Sequence, residues 1–257
     1  MPARDSSILA IIQARMGSSR LPGKVLADLS GEPLIIREVI RVRRAQSLGR
    51  VVVATTVDPE DDQIADVCRV RGIPCFRGHP HDVLDRYYQA ARLFKAETIV
   101  RLTGDCPVID PREIDRTVRA YFASGVDFAA NRLPPPWTRT TPIGMDTEVV
   151  SFENLARAWR EAEGKHEREH VMPYFYVHEG RFKVLLVNHE PDLGGYRLTV
   201  DTPEDLALIR RIFDHFEGTD EFSLSDIITV LEQRPDWMAL NAGVVHKGYR
   251  DTDARFD

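Results

Sequence analysis

The sequence contains no long hydrophobic run. No stretch of its 257 residues approaches the ~18 consecutive apolar residues that mark a membrane span. The opening MPARDSSILA lacks the basic, apolar and small-residue regions of a signal peptide. Cysteine is scarce. Cys68, Cys75 and Cys106 form no C-x-x-C pair and no even disulfide framework, so a reducing cytoplasm is the expected setting. An excess of basic residues is also missing. With 34 Lys and Arg against 40 Asp and Glu, the net charge is -6, which argues against a broad nucleic-acid-binding face. Internal repeats and low-complexity tracts are absent. What remains is an ordinary globular composition, 43% hydrophobic. It is long enough for one large α/β domain or a domain with a substantial insertion.

Against this acidic background, Ile11 to Leu26, IIQARMGSSRLPGKVL, concentrates Arg15, Arg20 and Lys24 with no acid until Asp28. Ile8 to Ala14 reads as a buried strand and Leu34 to Val42 as an amphipathic helix. A basic, glycine-containing turn between strand and helix is the arrangement that binds phosphate. The alternative is a surface turn with solvated arginines. The P-loop pattern itself is lacking. Gly17 and Gly23 enclose five residues where four are required, Val25 replaces the magnesium-binding hydroxyl, and Pro22 removes a backbone donor. The dinucleotide fingerprint G-x-G-x-x-G is lacking too.

Along the chain, strands are expected at Arg50 to Thr56, Ile73 to Phe76, Thr98 to Leu102 and Val126 to Ala130. Helices alternate with them at Pro59 to Val70, Asp82 to Phe94 and Pro111 to Phe122. This rhythm predicts an α/β fold, a mainly parallel sheet covered by helices on both faces. It breaks at the proline-rich Asn131 to Pro142. Beyond lie expected strands at Met145 to Ser151, Arg181 to Asn188 and Tyr196 to Val200. Further helices are expected at Phe152 to Glu161, Arg168 to His178, Pro203 to Phe216 and Leu224 to Gln233. The expected organisation is one domain over residues 1–217, with 131–195 as an excursion for acceptor binding and dimerisation. Residues 218–257 then form a C-terminal helix and a tail, Asn241 to Asp257, that is disordered or wraps a neighbour.

In open parallel sheets, ligands bind beyond the carboxyl ends of the strands. The basic loop, Asp105 after RLTGD and Asp201 after RLTVD all fall there. Asp201 alone reads equally well as part of a capped helix start. Two aspartates converging beside a basic loop fit Mg2+, which takes one or two carboxylates plus phosphate oxygens.

IIQARMGSSRLPGKVL, VVVATT, FRGHPHDVLDRYYQAA, IVRLTGDCPVID, REHVMPYFY and RLTVDTPEDL, in this order, closely resemble the cytidylyltransferases of the spore coat polysaccharide protein F type. These are relatives of the acylneuraminate and 3-deoxy-manno-octulosonate cytidylyltransferases. The resemblance covers about Ile8 to Phe216. It implies a nucleotide-diphospho-sugar transferase fold and transfer of CMP from CTP to a sugar acid with release of pyrophosphate. It further implies that Arg15, Ser18, Arg20 and Lys24 grip the triphosphate, with Lys24 and Arg15 in catalytic roles, and that Asp105 and Asp201 hold Mg2+. Ala14, Gly17, Thr55, Asp82, Arg86, Thr103 and Gly104 complete the implied nucleotide site. Asn131, Gly144, Glu148, Glu169 and His170 form the implied acceptor site. The family's Thr in REHVT is Met172 here. A homodimer is implied, with Asn131 to Pro142 and Val171 to Asn188 as contacts.

Several of these residues have plainer readings. Thr55, Thr56 and Thr103 could be strand-end hydroxyls satisfying local backbone, and Asp82 and Arg86 a helix ion pair one turn apart. Lys24, as a loop residue, is expected to bury little area. HEREH, His166 to His170, matches H-E-x-x-H and so offers a competing zinc hydrolase, although its surroundings are crowded with charge. A catalytically silent nucleotide-binding protein is the third possibility, and it would have no need of Asp105 and Asp201.

Overall fold

Alternation within the central strands sets the architecture. The computed structural model of the chain describes residues 6–245. In β1 (Ile8–Gln13), Ile8, Ala10 and Ile12 enter one apolar cluster and Leu9 and Ile11 another. The strand is therefore buried on both faces, as an unbroken apolar run requires. After it come a small hairpin, β2 (Asp28–Leu29) and β3 (Glu32–Pro33), then α1 (Leu34–Val42), β4 (Arg50–Thr56), α2 (Asp62–Val70), β5 (Cys75–Gly78), α3 (Val83–Leu93) and β6 (Thr98–Thr103). The chain continues through α4 (Pro111–Ser124), β7 (Phe128–Ala130), β8 (Glu148–Ser151), α5 (Phe152–Glu161), α6 (Lys165–His170), α7 (Pro173–Tyr176) and β9 (Val184–Leu186). The last elements among the described residues are α8 (Pro203–His215), α9 (Leu224–Gln233) and α10 (Pro235–Met238).

Seven strands form one sheet in the order β5-β4-β1-β6-β8-β7-β9. The first four are mutually parallel, and β8 runs antiparallel to both β6 and β7. Helices α1, α2, α4, α8 and α9 cover one face, and α3, α5 and α7 the other. The mainly parallel sheet with two helical layers is thus present. From β1 the chain moves outward to β4 and β5, then returns to β6 on the other side of β1. At such a switch point the loops leaving two neighbouring strands part and open a crevice.

Several expected elements differ; the strands expected at Met145 to Ser151 and Arg181 to Asn188 shrink to β8 and β9. Strand β5 starts at Cys75 rather than Ile73, because its pairing with β4 begins where Cys75 meets Val53. The expected helix Arg168 to His178 is broken into α6 and α7 at Val171, which has φ 69°. Tyr196 to Val200 does not join the sheet. It crosses the strand ends as an extended segment, with Leu198 N donating to Ile143 O (2.7 Å) and Val200 N to Asp105 O (2.8 Å). Leu198 and Val200 are buried in the first cluster. Leu224, Ile227 and Leu231 of α9 share that cluster. The expected disordered or wrapping tail lies, from residue 246 onward, outside the described residues.

Candidate active site

The crevice between β1 and β6 is narrow because Gly104 follows β6. Its N donates to Gln13 O (2.8 Å), and a Cβ there would stand 2.7 Å from that oxygen and 3.1 Å from the Ala14 methyl. Only glycine admits so close an approach. Across the crevice, the basic loop folds on itself at Met16, whose carbonyl accepts from Ser18 N (2.8 Å) and Gly23 N (2.9 Å). Gly23 takes φ 74°, the left-handed turn that glycine adopts at least cost. Buried Asp61 holds the loop from behind. It accepts from Met16 N (2.7 Å) and from the backbone and hydroxyl of Thr56. The Thr56 hydroxyl thus satisfies local groups, its plainer reading.

A cleft of about 580 Å³ opens between these elements. One group of its wall residues, the charged end, comprises Arg15, Ser18, Arg20, Lys24, Arg86, Asp105 and Asp201. Lys24 is not the exposed loop residue the sequence suggested; it is 9% accessible. Its ammonium lies 2.9 Å from Asp105 Oδ2, 2.9 Å from Asp201 Oδ1 and 2.7 Å from the Val200 carbonyl. Burial alone would lower its pKa, but the two carboxylates outweigh it and the pKa is raised. Asp201 also receives Arg20 at 2.8 Å and Arg197 at 2.9 Å. Burial would push its carboxyl up, yet Lys24, Arg20 and Arg197 hold it well below the usual carboxylate range. Behind Asp105, Glu38 of α1 accepts from Cys106 N (3.1 Å). Full burial and the neighbouring Asp105 push its carboxyl well up. Arg86 donates to the His79 and Pro80 carbonyls. Burial and nearby Arg15 bring its guanidinium down to about 10.

A second group, the balanced end, comprises Arg101, Arg132, Asp146, Glu148, Glu169, His170 and Tyr176. Arg101 of β6 lies opposite Glu148 of β8 in the register and is ion-paired with it. It also donates to Gln13 Oε1 (3.1 Å). Asp146 is bound by Arg139 at 2.8 Å.

Of the expected site residues, Ala14, Arg15, Ser18, Arg20, Lys24, Arg86, Thr103, Gly104, Asp105, Glu148, Glu169, His170 and Asp201 line this cleft. Five others do not. Gly17 sits outside the cleft wall, and the glycine the loop needs is Gly23. Thr55 is fully buried, with no hydrogen-bond partner for its hydroxyl among the described residues. Asp82 caps α3 through Asp85 N (2.8 Å) and pairs with Arg168, so the expected pair with Arg86 does not form. Asn131 ties two segments together, donating to Met145 O (2.7 Å) and accepting from Thr147 N (2.8 Å). Gly144, at φ 103°, lets the Leu198 carbonyl approach to 2.6 Å of where a Cβ would be. Met172 is buried with Phe175 in the second cluster, so this departure from REHVT does not alter the cleft wall. Within HEREH, Glu167 turns back to accept from Gly164 N (3.1 Å). The glutamate that a zinc hydrolase would use as base instead starts its own helix.

Sequence reasoning missed Arg101, Arg132, Asp146, Tyr176, Glu38 and Arg197. For Arg101 a signal existed, since it is the one charge inside the apolar run IVRL. Of the others, Arg132 and Asp146 lie in irregular segments, Tyr176 ends the short helix α7, and Glu38 and Arg197 stand behind the wall.

A parallel sheet with a surplus of cations over paired aspartates at its switch point belongs to a nucleotidyltransferase. A family model described as cytidylyltransferase matches residues 9–234, and the chain belongs to that family. It is 34% identical over 238 residues to the spore coat polysaccharide biosynthesis protein SpsF of Bacillus subtilis, covering 90% of this chain and 96% of that one. It is 31% identical over 200 residues to a 3-deoxy-manno-octulosonate cytidylyltransferase of Chlorobium luteolum, covering 77% and 76%. The structure of a cytidylyltransferase from Leptospira borgpetersenii superposes with a TM-score of 0.86 at 33% identity, covering 93% and 99%.

Proposed function

We propose that the protein transfers CMP from CTP to a sugar acid of the nonulosonate or 3-deoxy-manno-octulosonate kind, releasing pyrophosphate, in the synthesis of cell-surface glycans. The observation that carries the reading is the Lys24 ammonium equidistant from Asp105 and Asp201 beneath the basic loop. That end of the cleft offers Arg15, Arg20, Lys24 and Arg86 to the triphosphate, and Ala14, Ser18, Thr103 and Gly104 to the rest of the nucleotide. An acceptor oxygen attacks the α-phosphorus in line. The new P–O bond forms as the bond to the β-phosphate oxygen breaks. The protein contributes position and compensation of developing charge rather than covalent chemistry. Lys24 and Arg15 both line the cleft, and the Lys24 ammonium moves off the two aspartates to meet that charge.

The residues present fit a divalent cation. Asp105 and Asp201 converge on one point, where the Lys24 ammonium now sits. Among the described residues no third acidic, His or Cys side chain joins them. Two hard oxygen donors, with phosphate oxygens and waters, are what Mg2+ takes. Asp105 and Asp201 would hold it, and it would neutralise phosphate charge. At the far end, the Arg101–Glu148 pair, Glu169 and His170 would select the acceptor through its hydroxyls and carboxylate. A homodimer through residues 131–142 and 171–188 completes the proposal. Trp137, 38% exposed, stands within the first of these segments, and sedimentation would show the dimer. Among the described residues no helix is long and apolar enough to cross a membrane, in keeping with a cytoplasmic site of action.

A screen of the four nucleoside triphosphates against sugar acids, phosphonates and phosphorylated small molecules, read by pyrophosphate release, tests the reading. Release with CTP and a sugar acid is expected. Binding of CTP without release against any acceptor would make this a silent nucleotide-binding protein.

A further inference from the structure

Asp201 is held from two sides, and the second side reaches to the C-terminal segment. Arg197 Nη2 donates to Asp201 Oδ2 (2.9 Å) and to Asp205 Oδ2 (2.8 Å), while its Nε donates to Asp205 Oδ1 (2.8 Å). Asp205 is fully buried and also accepts from the backbone N of Asp201 (2.9 Å) and of Thr202 (3.1 Å). Among the described residues, the remaining donor to this carboxylate comes from the segment after α10. Asn241, 5% exposed, donates through Nδ2 to Asp205 Oδ1 (2.9 Å) and to the Arg197 carbonyl (3.1 Å). Four residues later the same segment meets the basic loop, where Arg20 Nη1 donates to the Val245 carbonyl (3.2 Å).

We infer that Asn241 is a positioning residue for the reaction, acting through Asp205 and Arg197 to fix the Asp201 carboxylate, and that the C-terminal segment is thereby part of the active site. The physical reason is geometric. Arg197 can aim one nitrogen at Asp201 only while Asp205 holds the guanidinium plane. Asp205 is held in turn by donors on both oxygens, of which, among the described residues, Asn241 is the one supplied from outside the RLTVDTPEDL turn. Removing that donor leaves Asp205 Oδ1, among the described residues, with Arg197 Nε alone, which slackens the guanidinium and with it Asp201 without altering any group that touches the nucleotide. Partners behind a metal-binding carboxylate typically change metal affinity or activity by roughly 10–100-fold.

This inference rests on the proposed reaction for its role but not for its test. Mn2+ is titrated calorimetrically into the free protein, into Asn241→Leu, which keeps the volume without the donor, and into Asn241→Gln, which keeps the donor. Asn241→Leu should bind Mn2+ about tenfold more weakly, with kcat lowered and the KM for CTP unchanged, while Asn241→Gln retains most of the affinity. Arg197→Lys makes the same test from the other end should Asn241→Leu not fold, because one ammonium cannot reach Asp201 and both Asp205 oxygens. Wild-type protein without a Mn2+ site, or equal affinities for wild type, Asn241→Leu and Arg197→Lys, would overturn the inference. Protein that binds Mn2+ yet releases no pyrophosphate would instead contradict the proposed reaction, and the Asn241 comparison would still decide the positioning.

Discussion

At one end of the cleft four cations, Arg15, Arg20, Lys24 and Arg86, face two aspartates, Asp105 and Asp201. At the other end Arg101 is matched by Glu148 and Arg139 by Asp146. The surplus of positive charge at the first end suits a ligand that brings several negative charges with it. The balanced end can discriminate only by the pattern of donors and acceptors it presents, because it has little net field to offer. Construction differs in the same way. The charged end is assembled by loops leaving adjacent parallel strands and by an extended segment pinned to them. The balanced end is gathered from β8, the region around Asn131 and the broken helix pair α6 and α7.

Substitutions at the two ends should therefore fail differently. The largest effect is expected for Lys24→Ala. Losing one well-placed electrostatic donor raises the barrier by ~3–4 kcal/mol, about 10²–10³ in kcat. Since Lys24 is buried between two carboxylates, the melting temperature should fall as well. Steady-state pyrophosphate release and thermal melting measure the two effects, and near-normal turnover in folded Lys24→Ala would erase the distinction between the ends. At the balanced end, Arg101→Leu strands a buried Glu148, and removing one partner of a buried pair costs roughly 3–5 kcal/mol. Urea unfolding should show that loss, with a raised KM for the acceptor and an unchanged KM for CTP in the surviving enzyme.

Acid sharpens the comparison. Asp201 is a stronger acid folded than unfolded, so its stabilisation is complete above the ordinary carboxylate pKa of ~4 and fades as pH falls further. The difference in unfolding free energy between wild type and Asp201→Asn should be largest near neutrality and shrink steadily below about pH 4. A difference independent of pH would mean that the cations around Asp201 do not stabilise its charge. The smallest effect is reserved for Asp82→Ala. Losing a helix cap costs about 1 kcal/mol, read by urea unfolding, and CTP affinity should stay at the wild-type value because Asp82 lies off the cleft.

Much of the charged end was legible because its signals are local. A basic, glycine-containing turn after a buried strand and an aspartate after RLTGD state their positions through the strands they follow. Helices α1, α5 and α9 and strand β4 were legible for the same reason, since one apolar face or run defines each. Elsewhere the structure depends on contacts that no periodicity encodes. Val171 takes a positive φ, with Met172 N donating to His170 O around it, against the preference of a β-branched residue, which breaks a helix that the sequence presents as continuous. Tyr196 to Val200 has the composition of a strand but lies across the strand ends, because Gly144 leaves room for its backbone. Asp82 and Arg86 have the spacing of an ion pair, yet Arg86 turns to two carbonyls and Asp82 to Arg168, 86 residues away in the chain. Asn241 carries no signal at all, because its partner Asp205 is visible only after folding.

The central claim is that the charged end grips a triphosphate so that its α-phosphorus passes to an acceptor held at the balanced end. CTP labelled at the α-phosphorus, incubated with the wild-type protein, Mg2+ and 3-deoxy-manno-octulosonate or a nonulosonate, tests it most directly. The label should leave CTP and appear in a CMP–sugar acid conjugate, in equal amount with unlabelled pyrophosphate. Label released only as free CMP, or a terminal phosphate released with the label retained in CDP, would contradict it.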